Sequence, residues 1–377
     1  MSIIHEYITK NLASSNLHDI FEKVAHNQRL SKEDGLRLYE SSELLSIGYM
    51  ANLARINRLK QDNEAANYVY WINNHHLNLT NICEGKCKFC AYRKQESDND
   101  AFLLSLDQAI EYIETKIDKN IKEIHIVSAL NPKCDLDYYI NLLKNCRKIL
   151  PNTHIQAFTA VEIEYIARIS GLTIEQTLKE LKDAGLGSLP GGGAEIFSPS
   201  IRERVCPEKI SGEKWLEIME LAHSLGIKSN ATMLSGIGES YEDKIEHMIA
   251  LRETQDKTGG FMTFIPLFCH YENTELDNYD DVTGIDIIKD YAISRLMLDN
   301  IPHIKAFWIQ IGIKLAQITL SFGVDDLDGT VIEEKITHSA GARTGQALSK
   351  NELIHLIKKT GKTPVERDTV YNIIKVY

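Results

Sequence analysis

The chain has 377 residues, enough for one large barrel or two ordinary domains, and 43% of them are hydrophobic, as in soluble globular proteins. A formal charge of -11 at pH 7 argues against a nucleic-acid partner, which needs a basic patch, and leaves any acidic ligand dependent on a few local cations. The opening Met-Ser-Ile-Ile-His-Glu-Tyr has neither a basic start nor an apolar run, so export is not expected.

Residues 1–70 read as an N-terminal helical extension. Leu30-Ser31-Lys32-Glu33-Asp34 supplies an N-cap followed by early acids, and Glu43 to Lys60 carries apolar residues at helical spacing. Its expected role is to close one end of the larger domain on its C-terminal side. From His76 onward, strand and helix patterns alternate. Ser105 and Gln108 form a capping box for a helix over Leu106 to Ile117, with Ala109, Ile110 and Ile113 on its apolar face, and a strand over Glu123 to Ser128 comes after it. A helix over Asp137 to Leu150 and a strand over Thr153 to Thr159 come next. Thr173 and Gln176 open a helix that Gly185 stops, and a helix over Trp215 to Leu225 stops at Gly226.

Further strands are expected at Ile227 to Leu234, Gly260 to Leu267, Ile304 to Trp308 and Val324 to Leu327. With His76 to Thr80 and a short strand at Gly187 to Leu189, eight strands alternate with helices. That alternation predicts an α/β fold, a (βα)8 TIM-type barrel over residues 71–330, with a C-terminal helical segment over 331–377 packed on it. The apolar stretch Ala306 to Val324 is long enough to raise a membrane span, but Gln310, Lys314 and Gln317 fall inside it. A strand followed by a buried helix fits better, and no membrane partner is expected.

Just after the first barrel strand, Cys83, Cys87 and Cys90 form a CxxxCxxC motif. This spacing can hold three irons of a [4Fe-4S] cluster and leave the fourth open to a small molecule. A structural zinc site needs four closed ligands, and no second CxxC or HxxxH pair is present. Disulfides are disfavoured because the seven cysteines are odd in number; Cys134, Cys146, Cys206 and Cys269 read as ordinary thiols. Free thiols and an oxygen-sensitive cluster point to a reducing cytoplasm. The motif lies at the C-terminal mouth, where such barrels keep their active sites.

CxxxCxxC after a first barrel strand, with Phe89 before the third cysteine, resembles the radical S-adenosylmethionine superfamily. Longer segments narrow the resemblance: Asn78 to Cys83, Ala157 to Glu162, Leu189-Pro190-Gly191-Gly192-Gly193-Ala194-Glu195, Ser229 to Met233 and Asp325 to Thr330 together are similar to the aminofutalosine synthase family. The related dehypoxanthine futalosine cyclases share the glycine segment but tend to read Ser-Pro-Lys-Lys after it, where this chain has Cys206-Pro207-Glu208-Lys209. Deazaflavin-cofactor synthases are a further alternative, and a non-enzymatic iron-sulfur protein is the reading from another class. Where the family usually carries Gly-Gly-Leu-His-Pro, this chain has Ser128-Ala129-Leu130-Asn131-Pro132, so a proton-transfer role of that histidine does not carry over to Asn131.

The resemblance implies a [4Fe-4S] cluster on the three cysteines with S-adenosylmethionine on the open iron. It implies adenosyl transfer to 3-[(1-carboxyvinyl)oxy]benzoate, giving 6-amino-6-deoxyfutalosine for menaquinone biosynthesis, with electrons from a flavodoxin or ferredoxin. Phe89 would lie near the adenine with Tyr92 beside the cofactor, and the Ser128 and Ala129 backbone would meet the methionyl amino group. Glu162 and Glu195, at predicted strand ends, are placed to accept from ribose hydroxyls or the ammonium; the alternative for each is a helix-start acid. Ser229, Asn230 and Thr232 alternate on the fifth strand and either contact the cofactor or fill the barrel. Gly191, Gly192 and Gly193 suggest close approach of a ligand or a tight turn. Arg202, Arg204 and Lys209 are the candidate cations for the two substrate carboxylates, with His270 and Asn273 further substrate candidates; His125 and His338 read as structural.

Overall fold

The computed structural model describes residues 10, 12–58, 64–276 and 282–377. Among the described residues α1 (His18–Ala25), α2 (Lys32–Glu40) and α3 (Leu44–Arg58) precede the first strand. Ser31 caps α2 as expected, its hydroxyl accepting from Asp34 N while Asp34 accepts from Ser31 N at 2.9 Å. Gly48 of α3 lies under the Phe322 ring, where an added Cβ would come within 2.4 Å, so this helix seats closely on the segment after the barrel helices.

The chain then forms β1 (Tyr68–Ile72), β2 (Asn74–Leu77), α4 (Leu106–Lys116), β3 (Glu123–Ile126), α5 (Leu136–Ile149) and β4 (His154–Ala157). These are followed by α6 (Ala160–Ser170), α7 (Ile174–Ala184), β5 (Ser188–Leu189), α8 (Pro199–Val205), α9 (Gly212–Ser224) and β6 (Lys228–Ser235). The barrel is completed by α10 (Tyr241–Thr258), β7 (Phe261–Phe268), α11 (Gly284–Met297), β8 (His303–Ile304), α12 (Trp308–Ile311), α13 (Ile313–Thr319) and β9 (Asp326–Gly329). Strands β2 to β8 pair in sequence order and all in parallel, the arrangement that successive βα units produce. The capping boxes read at Ser105 and Thr173 are present, and Gly171 ends α6 at φ +66°.

The ring closes through β9. A single bridge, Lys305 to Asp326, joins β9 to the β8 side, and another, His75 to Ile332, joins the residues after β9 to β2. Side chains supplement them: Asn74 N donates to Thr330 Oγ1 at 2.9 Å, Thr330 Oγ1 donates to Asn74 O at 2.8 Å, and Val331 N donates to Asn74 Oδ1 at 2.8 Å. Trp308 Nε1 donates to Gly329 O at 2.9 Å. Asp328, Val331 and Glu333 have φ between +45° and +62° here, conformations that cost energy in non-glycine residues.

All eight expected strands are present with shifted ends, seven of them in one curled parallel sheet, whereas the eighth, β9, is paired in a second sheet with β1 and only bridged to the β8 side. The sequence reading missed β1, which pairs in parallel with β9 and with β10 (Thr363–Arg367). The C-terminal stretch holds the short α14 (Ile336–Ser339) and α15 (Lys350–Lys358) but adds β10 and β11 (Ile373–Val376) to the expected helix. Gly312 at φ +83° splits the apolar stretch into α12 and α13, and among the described residues no helix is long and apolar enough to cross a membrane. The core between sheet and helices includes fully buried Trp71, Trp215, Trp308, Phe261 and Phe264.

Candidate active site

A cavity of about 360 Å³ runs from inside the barrel to the mouth at the strand C-terminal ends. Cys83, Cys87 and Cys90 all line it. Their loop is pinned by Cys83 N to Lys94 O at 3.1 Å, Lys88 N to Val205 O at 2.9 Å and Cys90 N to Cys87 O at 3.1 Å. Burial raises the Cys83 thiol pKa and pushes Cys87 up to about 12, against the pull of the nearby Lys209 ammonium. The Leu130 N–H, 3.3 Å from Cys83 Sγ, likewise favours thiolate. Among the described residues no group of three or more His, Cys, Asp or Glu side chains is set to hold a single metal ion. Three thiols on the wall of one cavity are compatible with a cluster, in which each sulfur takes a different iron.

Glu162 sits at the third position of α6 and completes its capping box, Oε2 accepting from Thr159 N at 2.8 Å. Its Oε1 accepts from Ser128 N at 2.9 Å, so this one buried carboxylate ties the ends of β3 and β4 together. Burial raises its pKa to about 7 against the pull of those N–H groups. The helix-start reading therefore holds for Glu162, and the same residue lines the cavity. With the Ser128 N–H engaged by Glu162 and the Ala129 N–H by Thr80 O at 3.3 Å, an ammonium ligand would meet acceptors rather than donors on this turn.

Glu195 has φ +48° and pairs directly with Lys209, whose ammonium lies 5.1 Å from the Phe89 ring centroid. Burial alone would lower the Lys209 pKa, but Cys87, Glu195 and Cys206 together raise it. Lys209 is thus a permanent cation beside the cysteines, already matched to a carboxylate.

Of the residues singled out from sequence, Phe89, Tyr92, Ser128, Ala129, Glu162, Gly191, Gly192, Gly193, Glu195, Lys209, Asn230, Thr232 and His270 line the cavity. Ser229 does not; its hydroxyl is 2.8 Å from His223 Nε2, on the helix side of β6. Arg202 and Arg204 also lie off the cavity. Buried Arg202 donates to Ala194 O at 2.7 Å, Ile196 O at 3.1 Å and Ile210 O at 3.1 Å, and Arg204 donates to Ile237 O at 2.9 Å. Both cations hold loops together. Asn273 donates to Ser339 O at 3.1 Å and lines a second, polar cavity beside the first. Gly191 is required by the protein itself, since a Cβ there would lie 2.7 Å from the Ala231 carbonyl carbon. Asn131 is buried, donating to Thr80 Oγ1 at 3.0 Å, and acts as a strut outside the cavity.

The sequence reading took His125 of β3 as structural and passed over the rest of the polar belt it joins on the inner wall: Asn74 and His76 of β2, Glu123 of β3, Gln156 of β4, Lys305 after β8 and Asp328 of β9. His76 and His125 stack at 4.5 Å, and burial lowers both pKa values, keeping the rings neutral. The signal was available as period-two polar residues on β2 and β3. Arg93, three residues after Cys90, also lines the cavity and was passed over.

Residues 77–251 match the Radical SAM superfamily, and residues 258–377 match the CofH/MqnC C-terminal region. An aminodeoxyfutalosine synthase of Thermus thermophilus is 39% identical over 372 residues, 98% of each chain. A 5-amino-6-(D-ribitylamino)uracil–L-tyrosine 4-hydroxyphenyl transferase of Methanopyrus kandleri is 38% identical, covering 82% of this chain and 85% of its own. Among solved structures, methylornithine synthase superposes with a TM-score of 0.71 at 16% identity, covering 91% of this chain and 96% of that one, a likeness of fold. With three thiols at the mouth of a matching barrel and identity sustained along both full chains, the protein belongs to the aminodeoxyfutalosine synthase family of radical S-adenosylmethionine enzymes.

Proposed function

We propose that this enzyme adds the 5′-deoxyadenosyl group of S-adenosylmethionine to the enolpyruvyl double bond of 3-[(1-carboxyvinyl)oxy]benzoate, giving 6-amino-6-deoxyfutalosine for menaquinone biosynthesis. The observation that carries this reading is the 39% identity over 98% of both chains to a relative bearing that name. The Cys206 to Lys209 segment, which separates this reading from the cyclase, supports it by its position, because Glu208 and Lys209 line the cavity of the three cysteines. Cys83, Cys87 and Cys90 would hold the [4Fe-4S] cluster, which when bound supplies the electron that cleaves the sulfonium. Phe89, Tyr92, the Ser128–Ala129 turn, Glu162, Asn230 and Thr232 would orient the cofactor, and the glycine turn with His270 would bound the substrate. Glu195 would hold Lys209 in place. A flavodoxin or ferredoxin in a reducing cytoplasm would deliver the electron.

The test is anaerobic incubation of reconstituted protein with reductant, S-adenosylmethionine and the enolpyruvyl benzoate. An adenosylated aromatic product is expected. If 5′-deoxyadenosine is the main product and no adduct forms, the cyclase or the tyrosine-dependent transferase reading takes its place.

A further inference from the structure

Among the described residues, three cations line the cavity, and each already has a carboxylate partner, but the partners differ in kind. Lys209 is matched by Glu195, whose side chain is 10% exposed, and Lys305 by Asp328 at 3.3 Å, 9% exposed. These partners are built into the wall, and replacing either lysine would leave a buried carboxylate unpaired. Arg93 is different. Its Nη2 donates to Glu275 Oε1 at 2.9 Å, and the Glu275 side chain is 63% exposed while that of Arg93 is only 18%. Water readily takes over Glu275, so this pair holds its arginine weakly.

A second feature points the same way. The Arg93 Nε is buried with no hydrogen-bond partner, and so is the hydroxyl of the adjacent Tyr92. Both residues line the cysteine cavity, and both also border the neighbouring polar cavity of about 670 Å³. Native proteins seldom leave buried donors unmatched, and two on consecutive residues of one wall mark a place for an acceptor supplied from outside. A guanidinium with Nε and an Nη available side by side matches a carboxylate in the two-point fashion.

Resting on the adenosyl-transfer function, we propose that Arg93 anchors the ring carboxylate of the substrate, displacing Glu275, with Tyr92 donating to the same group or to the adjoining ether. The ring carboxylate is assigned because it persists from substrate to product, whereas the enol carboxylate is lost. Arg93 is thus a specificity residue.

The experiment compares the substrate with an analogue carrying a carboxamide in place of the ring carboxylate, using reconstituted wild type, Arg93→Gln, Arg93→Lys and Glu275→Gln. Wild type is expected to favour the carboxylate in kcat/KM by about 10- to 100-fold, the worth of a charge-assisted pair. Arg93→Gln loses that preference by raising KM for the acid while KM for the amide stays put, and Arg93→Lys keeps part of it. Calorimetric titration of the acid into each protein without S-adenosylmethionine should show weaker binding in Arg93→Gln and equal or tighter binding in Glu275→Gln. Retention of the full acid-over-amide preference by Arg93→Gln overturns the assignment, as does weakened binding in Glu275→Gln. A wild type that forms no adenosylated aromatic at all counts against the functional reading, and the two failures are distinct.

Discussion

Arg202 offers the sharpest contrast between what its charge suggests and what its surroundings do. As a cation after the glycine segment it invites a substrate carboxylate, yet its guanidinium is spent on the carbonyls of Ala194, Ile196 and Ile210. Those bonds fix the turn that carries Glu195. Arg202→Met keeps the stem and removes every donor, leaving three buried carbonyls unmatched at about 1–3 kcal/mol each. Partial relaxation should bring the total to about 4 kcal/mol. Unfolding entropy of about 2.1 cal/mol/K per residue over 377 residues is about 0.8 kcal/mol/K, so Tm should fall by about 5 °C. The assay is thermal unfolding at a matched scan rate, paired with substrate KM measured well below the transition. A Tm within about 1 °C of wild type together with a KM raised about tenfold would refute the reasoning, since that is the pattern of a lost ligand contact.

Glu162 should impose a pH dependence on stability. Its folded pKa of about 7 lies above the ordinary 4.5, so the stability it permits is full below 4.5 and is lost as pH rises through about 7, by about 3 kcal/mol in all. Glu162→Gln should flatten that part of the profile of urea midpoints between pH 5 and 8; parallel profiles for the two proteins would contradict it. Cys87→Ala should abolish cluster absorbance and turnover while far-UV circular dichroism stays that of the barrel, and retained turnover would remove the cysteines from catalysis. Ser229→Ala loses only its contact with His223, so stability should fall by about 1 kcal/mol with kinetics unchanged. A raised KM for S-adenosylmethionine in that variant would put Ser229 back in the site.

The barrel was legible because its signals are local. Period-two strands, the boxes at Ser105 and Thr173, and the glycine stops at Gly185 and Gly226 each depend on a few neighbouring residues. Strands β1 and β10 pair across almost 300 residues of sequence, and nothing near Tyr68 or Thr363 announces that partner. The cysteine loop was equally plain, since its chemistry is carried by spacing. Side-chain destinations were not: Arg202, Arg204 and Lys209 read alike as charges, and only the fold decides that two of them meet carbonyls and one meets Glu195. Glu162 shows the opposite case, where the helix-start acid and a cavity-lining carboxylate are one residue because the helix that needs capping starts at the cavity wall.

The closure of the ring through β9 gives the barrel an uneven tolerance to mutation. Between β6 and β7 the facing rows of amides register over several residues, and the pairing there rests on backbone groups that every residue carries. At the junction of β8, β9 and β2 the backbone register is short, and the side chains of Asn74, Thr330 and Trp308 add to its few amide bonds. The joint is therefore tied to the identity of three residues in a way that a long run of paired amides is not.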